Sequence, residues 1–389
     1  MNSFKDRTAI VGIGHTEYSK DSGRSEMRLA CEAISSAVQD SGLSINDIDG
    51  IAKFSWDNND PVLIARNLGI PRLSFFGEVP YGGGGGPVGS ILLAAMAVAT
   101  GQAKAVVAFR AMNERSGRGT PRFGQASTSR GAKGPSAFNS PYGLFSPAQS
   151  VGLAARRHME LYGTKSHHFG EIAVACREHA QRNPNAMMYG KTMTLKDHQN
   201  SRMISEPVRL YDCCLETDGA AALIVTTSER AQDLRQKPAY ISSGGMGGGS
   251  WNHREVVKNV DSKETESTVI AQRIFQDADI SHRDIDVLFL YDHFTPLVLM
   301  AFEEYGFCKR GEGKDYVGDG RLTWPKGDLP LNTSGGNLSE GYLHGMQNNI
   351  EAVRQIRGDS NCQVENVEHV FVASGNAVPT SAMILKRHN

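Results

Sequence analysis

One phrase occurs twice in this chain. Gln39 to Asp49 reads Gln-Asp-Ser-Gly-Leu-Ser-Ile-Asn-Asp-Ile-Asp, and Gln276 to Asp286 reads Gln-Asp-Ala-Asp-Ile-Ser-His-Arg-Asp-Ile-Asp. At a constant offset of 237, Gln39/Gln276, Asp40/Asp277, Ser44/Ser281, Asp47/Asp284, Ile48/Ile285 and Asp49/Asp286 coincide. Each copy follows an apolar-striped stretch, Met27 to Val38 and Val269 to Asp277, in which the apolar side chains recur at helical spacing. Each leads into a short apolar strand, Gly50 to Phe54 and Val287 to Leu290. Both carry Ser-x-x-Asp, a capping arrangement, just ahead of that strand. A repeat at this separation means two similar domains and not a solenoid. The pattern predicts an α/β chain of two layered α-β-α halves, roughly 1–235 and 236–389. An insertion of about 115–200 interrupts the first half.

Each half then reaches a glycine-rich turn before a helix. In the first it is YGGGGGPVGS, Tyr81 to Ser90, followed by a helix to Gly101 and a strand from Ala105 to Phe109. In the second it is NTSGGNLSEGYLHGMQN, Asn332 to Asn348, then an amphipathic stretch, Met346 to Ile356, and a strand from Val367 to Val372. Glycines let a backbone take positive φ or pass close to a ligand. A side chain on such a turn is expected at a mouth, which places Tyr342 in a cleft between the halves. Gly84-x-Gly86-x-x-Gly89 also fits a dinucleotide fingerprint. Pro80, Pro87 and the cation Arg110 at the end of the next strand argue against that use, so no cofactor is expected.

Net charge is −1 over 389 residues, which excludes a global electrostatic case for nucleic acid or an anionic membrane surface. The six cysteines form no CxxC pair and no zinc-like spacing, so free thiols and no metal are expected. No apolar leader and no eighteen-residue apolar run is present, and the expected location is the cytoplasm. Arg115 to Met159 holds seven Lys and Arg residues and no Asp or Glu. Its Gly-, Ser- and Pro-rich first part reads as a long loop, which suits a polyanionic ligand, a solvated flexible surface or a subunit contact.

The second turn resembles the thiolase superfamily, whose pattern is Asn-x-x-Gly-Gly-x-x-x-x-Gly-His-Pro with a catalytic histidine. Asn332, Gly335, Gly336 and Gly341 keep that pattern, while Tyr342 and Leu343 replace the histidine and proline. The resemblance puts the nucleophilic cysteine of a thiolase at Gly84, and no cysteine lies between Cys31 and Cys176. The second catalytic cysteine falls in Ala373-Ser374-Gly375-Asn376-Ala377, and Asn-Glu-x-Phe becomes Tyr291-Asp292-His293-Phe294. Acyl transfer through a thiolate is therefore unavailable.

Together with VGIGHTEYSKDSGRSE, AMAVATG, NERSG, RFGQ and YDHFTP, this looks like the lipid-transfer-protein branch, the steroid side-chain-cleaving aldolases. The resemblance implies a thiolase-like fold and retro-aldol cleavage of a β-hydroxyacyl-CoA thioester, that of a 17-hydroxy steroid side chain, to a ring ketone and a short acyl-CoA such as propanoyl-CoA. It implies a homodimer with an OB-fold partner, in some members fused to a hydratase-like protein. Coenzyme A enters as part of the substrate. Tyr342 and Tyr291 are expected to transfer protons, assisted by His293 and His344, because a phenol can give or take a proton when neighbours tune it. Backbone amides at Gly84 and Gly375 are expected to form an oxyanion hole. Arg118, Arg122 and Arg130 are expected to meet the CoA phosphates. The competing reading is an inactive thiolase-like lipid-transfer or scaffold protein.

Overall fold

The two copies of the repeated phrase fold alike. Ile45–Asp47 and His282–Asp284 are both single 3₁₀ turns, and the side chains of Ser44 with Asp47 and of Ser281 with Asp284 close the same reciprocal cap. Each turn joins a helix, α1 (Glu26–Ser41) in the first copy, to a short strand. The structure is a computed structural model that describes residues 5–80, 85–118, 139–247, 260–262, 264–375 and 380–387.

The strands are β1 (Thr8–His15), β2 (Gly50–Phe54), β3 (Phe75–Val79), β4 (Ala105–Asn113), the small hairpin β5 (Met203–Ser205) and β6 (Val208–Arg209), β7 (Asp218–Thr227), β8 (Ala239–Gly247), β9 (Val287–Phe289), β10 (His369–Ser374) and β11 (Thr380–Lys386). All but the hairpin join one mixed sheet in the order β3-β2-β4-β7-β1-β8-β11-β10-β9. Read outward from the contact of Ala9 and Ile10 with Tyr240 and Ala239, the order is nearly a palindrome. β1 answers β8, β7 answers β11, β4 answers β10 and β2 answers β9. β2 runs parallel to β4, and β9 runs parallel to β10.

Two helices fill the middle layer, α2 (Gly86–Ala99) and a later one that follows the Tyr342 turn. One apolar cluster holds Val88, Ile91 and Leu92 of α2 together with Met346, Ile350 and Val353 of that later helix, and it meets strands of both halves. A second cluster lies outside the first-half strands against α1. A third lies outside the second-half strands. It takes in α3 (Pro147–Tyr162), α4 (Ser166–Ala180), α5 (Glu266–Ala278) and α6 (Thr295–Glu304). After α6 come the one-turn α7 (Gly336–Ser339) and the middle-layer α8 (Met346–Arg357). The described part of the basic insertion is therefore largely helical from residue 147 onward.

The stretch Met346 to Ile356 is a helix as expected, but its polar side does not face water. Gln347, Asn348, Asn349, Glu351 and Gln355 are all buried. The amphipathic spacing arises because the second face meets loops and not solvent. All six cysteines are free thiols. Among the described residues no helix is long and apolar enough to cross a membrane.

Candidate active site

The site is built where β9 ends against the Asn332 turn. Asn332 sits at φ +49, a conformation that asparagine tolerates. Its amide accepts from Leu290 N–H at 3.1 Å and donates to Leu290 O at 3.0 Å, so one side chain clasps both sides of the strand end. Gly335 at φ +109 and Gly336 at φ +59 turn the chain back. Asp292 then caps α7, accepting from Asn337 N–H at 3.0 Å, Leu338 N–H at 3.1 Å and Asn337 Nδ2 at 2.8 Å. A Cβ on Gly336 would collide with that carboxylate. Asp292 is thus a structural cap, and burial raises its pKa even so.

The turn delivers Tyr342. Its N–H donates to Thr217 Oγ1 at 2.9 Å, and its carbonyl accepts from the same hydroxyl at 3.1 Å. The phenol oxygens of Tyr342 and Tyr291 are 2.9 Å apart, one donating to the other. Tyr342 is only 5% exposed and Tyr291 only 6%. The pair lies inside the central cluster and not at an open mouth, which corrects the expectation from the glycine turn. The reason is packing: Gly341 lies flush against the Tyr18 ring and Gly345 against Tyr291, so the turn closes down. Burial pushes both phenols well above their ordinary pKa. For Tyr342 the neighbouring Tyr291 adds to this, and for Tyr291 the Cys214 thiol does.

Both predicted histidines are buried beside the pair. The His293 ring stacks on Tyr291 at 4.2 Å, and burial pushes its pKa down to about 4. His344, at φ +57, lies 5.0 Å from the Tyr342 ring and accepts at Nδ1 from Arg110 Nε at 3.3 Å. Burial, then the Arg110 charge, hold its proton affinity well below the usual range. Both imidazoles are therefore neutral near pH 7.

Gly375, at φ +72, directly follows β10, and its carbonyl accepts from Tyr305 OH at 2.9 Å and Thr380 Oγ1 at 2.6 Å. Gly84, Arg122 and Arg130 lie outside the described residues. Arg118 pairs with Asp21 at 2.9 Å, with both side chains about half exposed. Three residues were missed in the sequence: Arg110, Thr217 and the buried Glu114, whose charge acts on both phenols. An arginine inside the apolar run AVVAFRAMN was the available signal for the first. Among the described residues no cluster of ligating side chains could hold a metal ion.

Residues 248–387 match the thiolase C-terminal domain-like family. The chain is 46% identical to the 17-hydroxy-3-oxo-4-pregnene-20-carboxyl-CoA lyase of Mycobacterium tuberculosis, over 97% of this chain and 99% of that one. It is also 46% identical to the steroid side-chain-cleaving aldolase of Thermomonospora curvata, over 99% of both. This chain belongs to the steroid side-chain-cleaving aldolase family. Among solved structures, the Ltp2-ChsH2(DUF35) aldolase matches with a TM-score of 0.91 at 45% identity over 99% of both chains. Human mitochondrial 3-ketoacyl-CoA thiolase matches over 99% of both chains with a TM-score of 0.70 at 14% identity, a likeness of fold alone. The aldolase family thus keeps a thiolase-like fold, and this member carries a phenol pair where the thiolase pattern has asparagine and histidine.

Proposed function

We propose that this chain is a retro-aldol carbon–carbon lyase acting on a 17-hydroxy steroid whose side chain ends in a CoA thioester. The products are a ring ketone and a short acyl-CoA, propanoyl-CoA for a three-carbon side chain. The observation that carries the reading is the 2.9 Å contact between Tyr291 and Tyr342 in a buried site. The names of the two full-length relatives support the substrate class.

Raised phenol pKa values argue against a standing tyrosinate. A hydrogen-bonded pair of neutral phenols solves the problem. One phenol oxygen takes the proton of the substrate hydroxyl as its own proton passes to its partner. The bond between the hydroxyl-bearing ring carbon and the side-chain carbon breaks, giving the ketone and a thioester enolate. In the same concerted step the partner phenol gives its own proton to the enolate carbon, so neither oxygen ever holds two protons. Both tyrosines end as they began, and no charge is left buried. The thioester is the electron sink, and the backbone amides near Gly84 and Gly375 serve as its oxyanion donors in this scheme. Arg118, Arg122 and Arg130 are assigned to the CoA phosphates, a role their charge suits.

The active assembly pairs this chain with a DUF35-type partner, the counterpart of the OB-fold domain implied by resemblance. The likeness to the Ltp2-ChsH2(DUF35) aldolase over the whole chain supports this pairing. A second copy is assigned to the β3 edge, where Phe76 is 66% exposed and, among the described residues, no further strand pairs. Incubating the chain and its partner with the 17-hydroxy steroid acyl-CoA should yield the ring ketone and free acyl-CoA by mass spectrometry. Intact substrate, or acyl transfer to added CoA, would overturn the lyase reading.

A further inference from the structure

Every residue of β4 is buried, and Arg110 stands in its middle with no exposed surface. A buried guanidinium is costly unless it is paired and hydrogen-bonded. Asp57 supplies the counter-charge at 3.3 Å and the Trp56 carbonyl accepts at 2.7 Å, but both bonds use the same nitrogen, Nη1. Nε is spent on a neutral ring, Nδ1 of His344. Nη2 has no hydrogen-bond partner among the described residues. A cation kept only for stability would be saturated by carboxylates and carbonyls. This one is aimed at an imidazole two residues from Tyr342.

That bond fixes a tautomer. A guanidinium has no lone pair, so its Nε–H can only donate. Nδ1 must present its own lone pair, and the single proton of the neutral ring sits on Nε2. A second proton at Nδ1 would face the Arg110 N–H beside a positive charge. Among the described residues, the ionisable groups around His344 include Arg110 with Asp57 from the β4 side, Tyr342 from its own turn, and Tyr291 with His293 from beyond the end of β9. Of these, Arg110 and His293 disfavour protonation further, and Asp57 is already held by Arg110. The ring is also fixed in direction. It lies edge-on to Phe54 at 5.7 Å and to Trp56 at 5.5 Å.

We propose that Arg110 is a positioning residue: by occupying Nδ1 it makes His344 a permanently neutral Nε2–H donor to the substrate oxygen handled by Tyr342, and removes His344 from the set of bases. The identity of that oxygen rests on the retro-aldol reading; the tautomer does not.

The test is ¹⁵N-histidine NMR of the full chain with its partner, with His344 assigned by difference from His344→Gln. The expected spectrum shows a bare Nδ1 and a protonated Nε2, unchanged from about pH 5.5 to 8.5, the span in which an ordinary histidine titrates. A proton on Nδ1, or titration within that span, overturns the proposal whether or not the protein is a lyase. The stated tautomer with no lyase activity would instead sink the retro-aldol reading alone. Turnover supplies a second readout. Glutamine can accept from Arg110 with Oε1 and donate with Nε2, so His344→Gln should lose less than about tenfold in kcat. His344→Phe should lose about 10²-fold with KM little changed, the scale of one oriented donor. Equal losses in two folded variants would overturn the donor role. Arg110→Met should add an ionisation to the pH–rate profile, and Arg110→Lys should suppress it. If Arg110→Met fails to fold, the wild-type spectrum decides.

Discussion

Two helices share the middle layer and are built in opposite ways. α2 reads GPVGSILLAAMAVA and is apolar nearly all round, as a helix buried over most of its surface should be. α8 reads MQNNIEAVRQIR and is as deeply buried. Its polar side chains are spent on named partners. Gln347 donates to Asn337 Oδ1 and Gly341 O, both at 2.7 Å, and Asn348 to Leu290 O at 3.2 Å. Gln355 donates to Thr333, Ser360 and the Cys362 carbonyl, and Arg357 to Asp40 and the Val11 carbonyl. Apolar contacts hold α2 in place without fixing its direction. The bonds of α8 are directional, and those of Gln347 run to the loop that carries Tyr342. A reactive pair needs placement to a fraction of an ångström, which directional bonds supply.

The same contrast recurs residue by residue. The offset of 237 that aligns the repeated phrases sets Phe54 on Tyr291. Phe54 ends β2 and Tyr291 lies two residues past the end of β9, and each packs on a glycine at the start of a middle-layer helix, Phe54 on Gly86 and Tyr291 on Gly345. One ring is an apolar wall and the other carries the hydroxyl. β2 pairs Gly50 with Val106, and β9 pairs Val287 with Val370, so Arg110 and Ser374 are also equivalent positions. Arg110 crosses to His344 before α8, and Ser374 Oγ accepts from Val88 N–H at 3.2 Å at the start of α2. The two halves share one frame, and both phenols of the proposed mechanism come from the second half.

The largest effect should come from the hydroxyls that distinguish the halves. Tyr342→Phe and Tyr291→Phe each remove one oxygen and keep the packing. General acid–base groups contribute about 10²- to 10⁴-fold, so kcat should fall by that order with KM little changed. The double variant should be little worse than either single, since the relay needs both. Near-normal turnover in Tyr342→Phe would end the claim that the second half owns the chemistry.

Next in size is the polar helix itself. Gln355→Met has similar volume but leaves the Cys362 carbonyl and two hydroxyls without their donor. Stranding buried polar groups costs about 1–3 kcal/mol each, so a loss of roughly 2–4 kcal/mol is expected from denaturant unfolding. A neutral result would mean that α8 is held by its apolar contacts, like α2.

A smaller effect separates the helices by pH. α2 has no ionisable side chain. The turn before α8 holds Glu340, which burial pushes up to about 8, with Ser334 donating to it. Its folded pKa lies above the unfolded value near 4.5. Its stabilising contribution is therefore complete below about pH 4.5 and is lost as pH rises through about 8. Glu304 behaves alike. On the acid side His293 and His179, both pushed down to about 4, lose their contribution as pH falls from 6.5 through that value. Urea midpoints of Glu340→Gln should decline less between about pH 5 and 9 than those of wild type. Parallel curves would clear Glu340 of that role.

Much of this frame was legible in the sequence because it is local. The repeated phrase, its two caps and the strands after it depend on neighbours in the chain, and Thr8, Gly50 and Met346 start their elements where the pattern put them. The phenol pair was legible through resemblance, since the turn keeps every glycine and changes the histidine and the proline beside it. Depth was not legible. Whether a polar helix face meets water or a buried loop depends on chain far away in sequence, as Thr217 under Tyr342 and Asp40 under Arg357 show. Arg110 escaped because its partner His344 lies 234 residues on.

The smallest expected effect is at the thiols, where a thiolase would show its largest. The thiolate is the reactive form of cysteine. Burial raises every thiol here: Cys213 and Cys362 to about 12, with Cys31, Cys176, Cys214 and Cys308 also shifted upward. Alkylating agents should therefore react slowly near neutral pH. Cys214 is the critical case, because it packs against the cluster that holds the tyrosines. Burial raises its pKa most, and the charge of Glu114 raises it further. Cys214→Ala should change kcat by less than about tenfold, below the range of a general acid–base group. Loss of turnover in that variant, or on alkylation with the fold intact by circular dichroism, would return a cysteine to the mechanism and break the contrast with the thiolases.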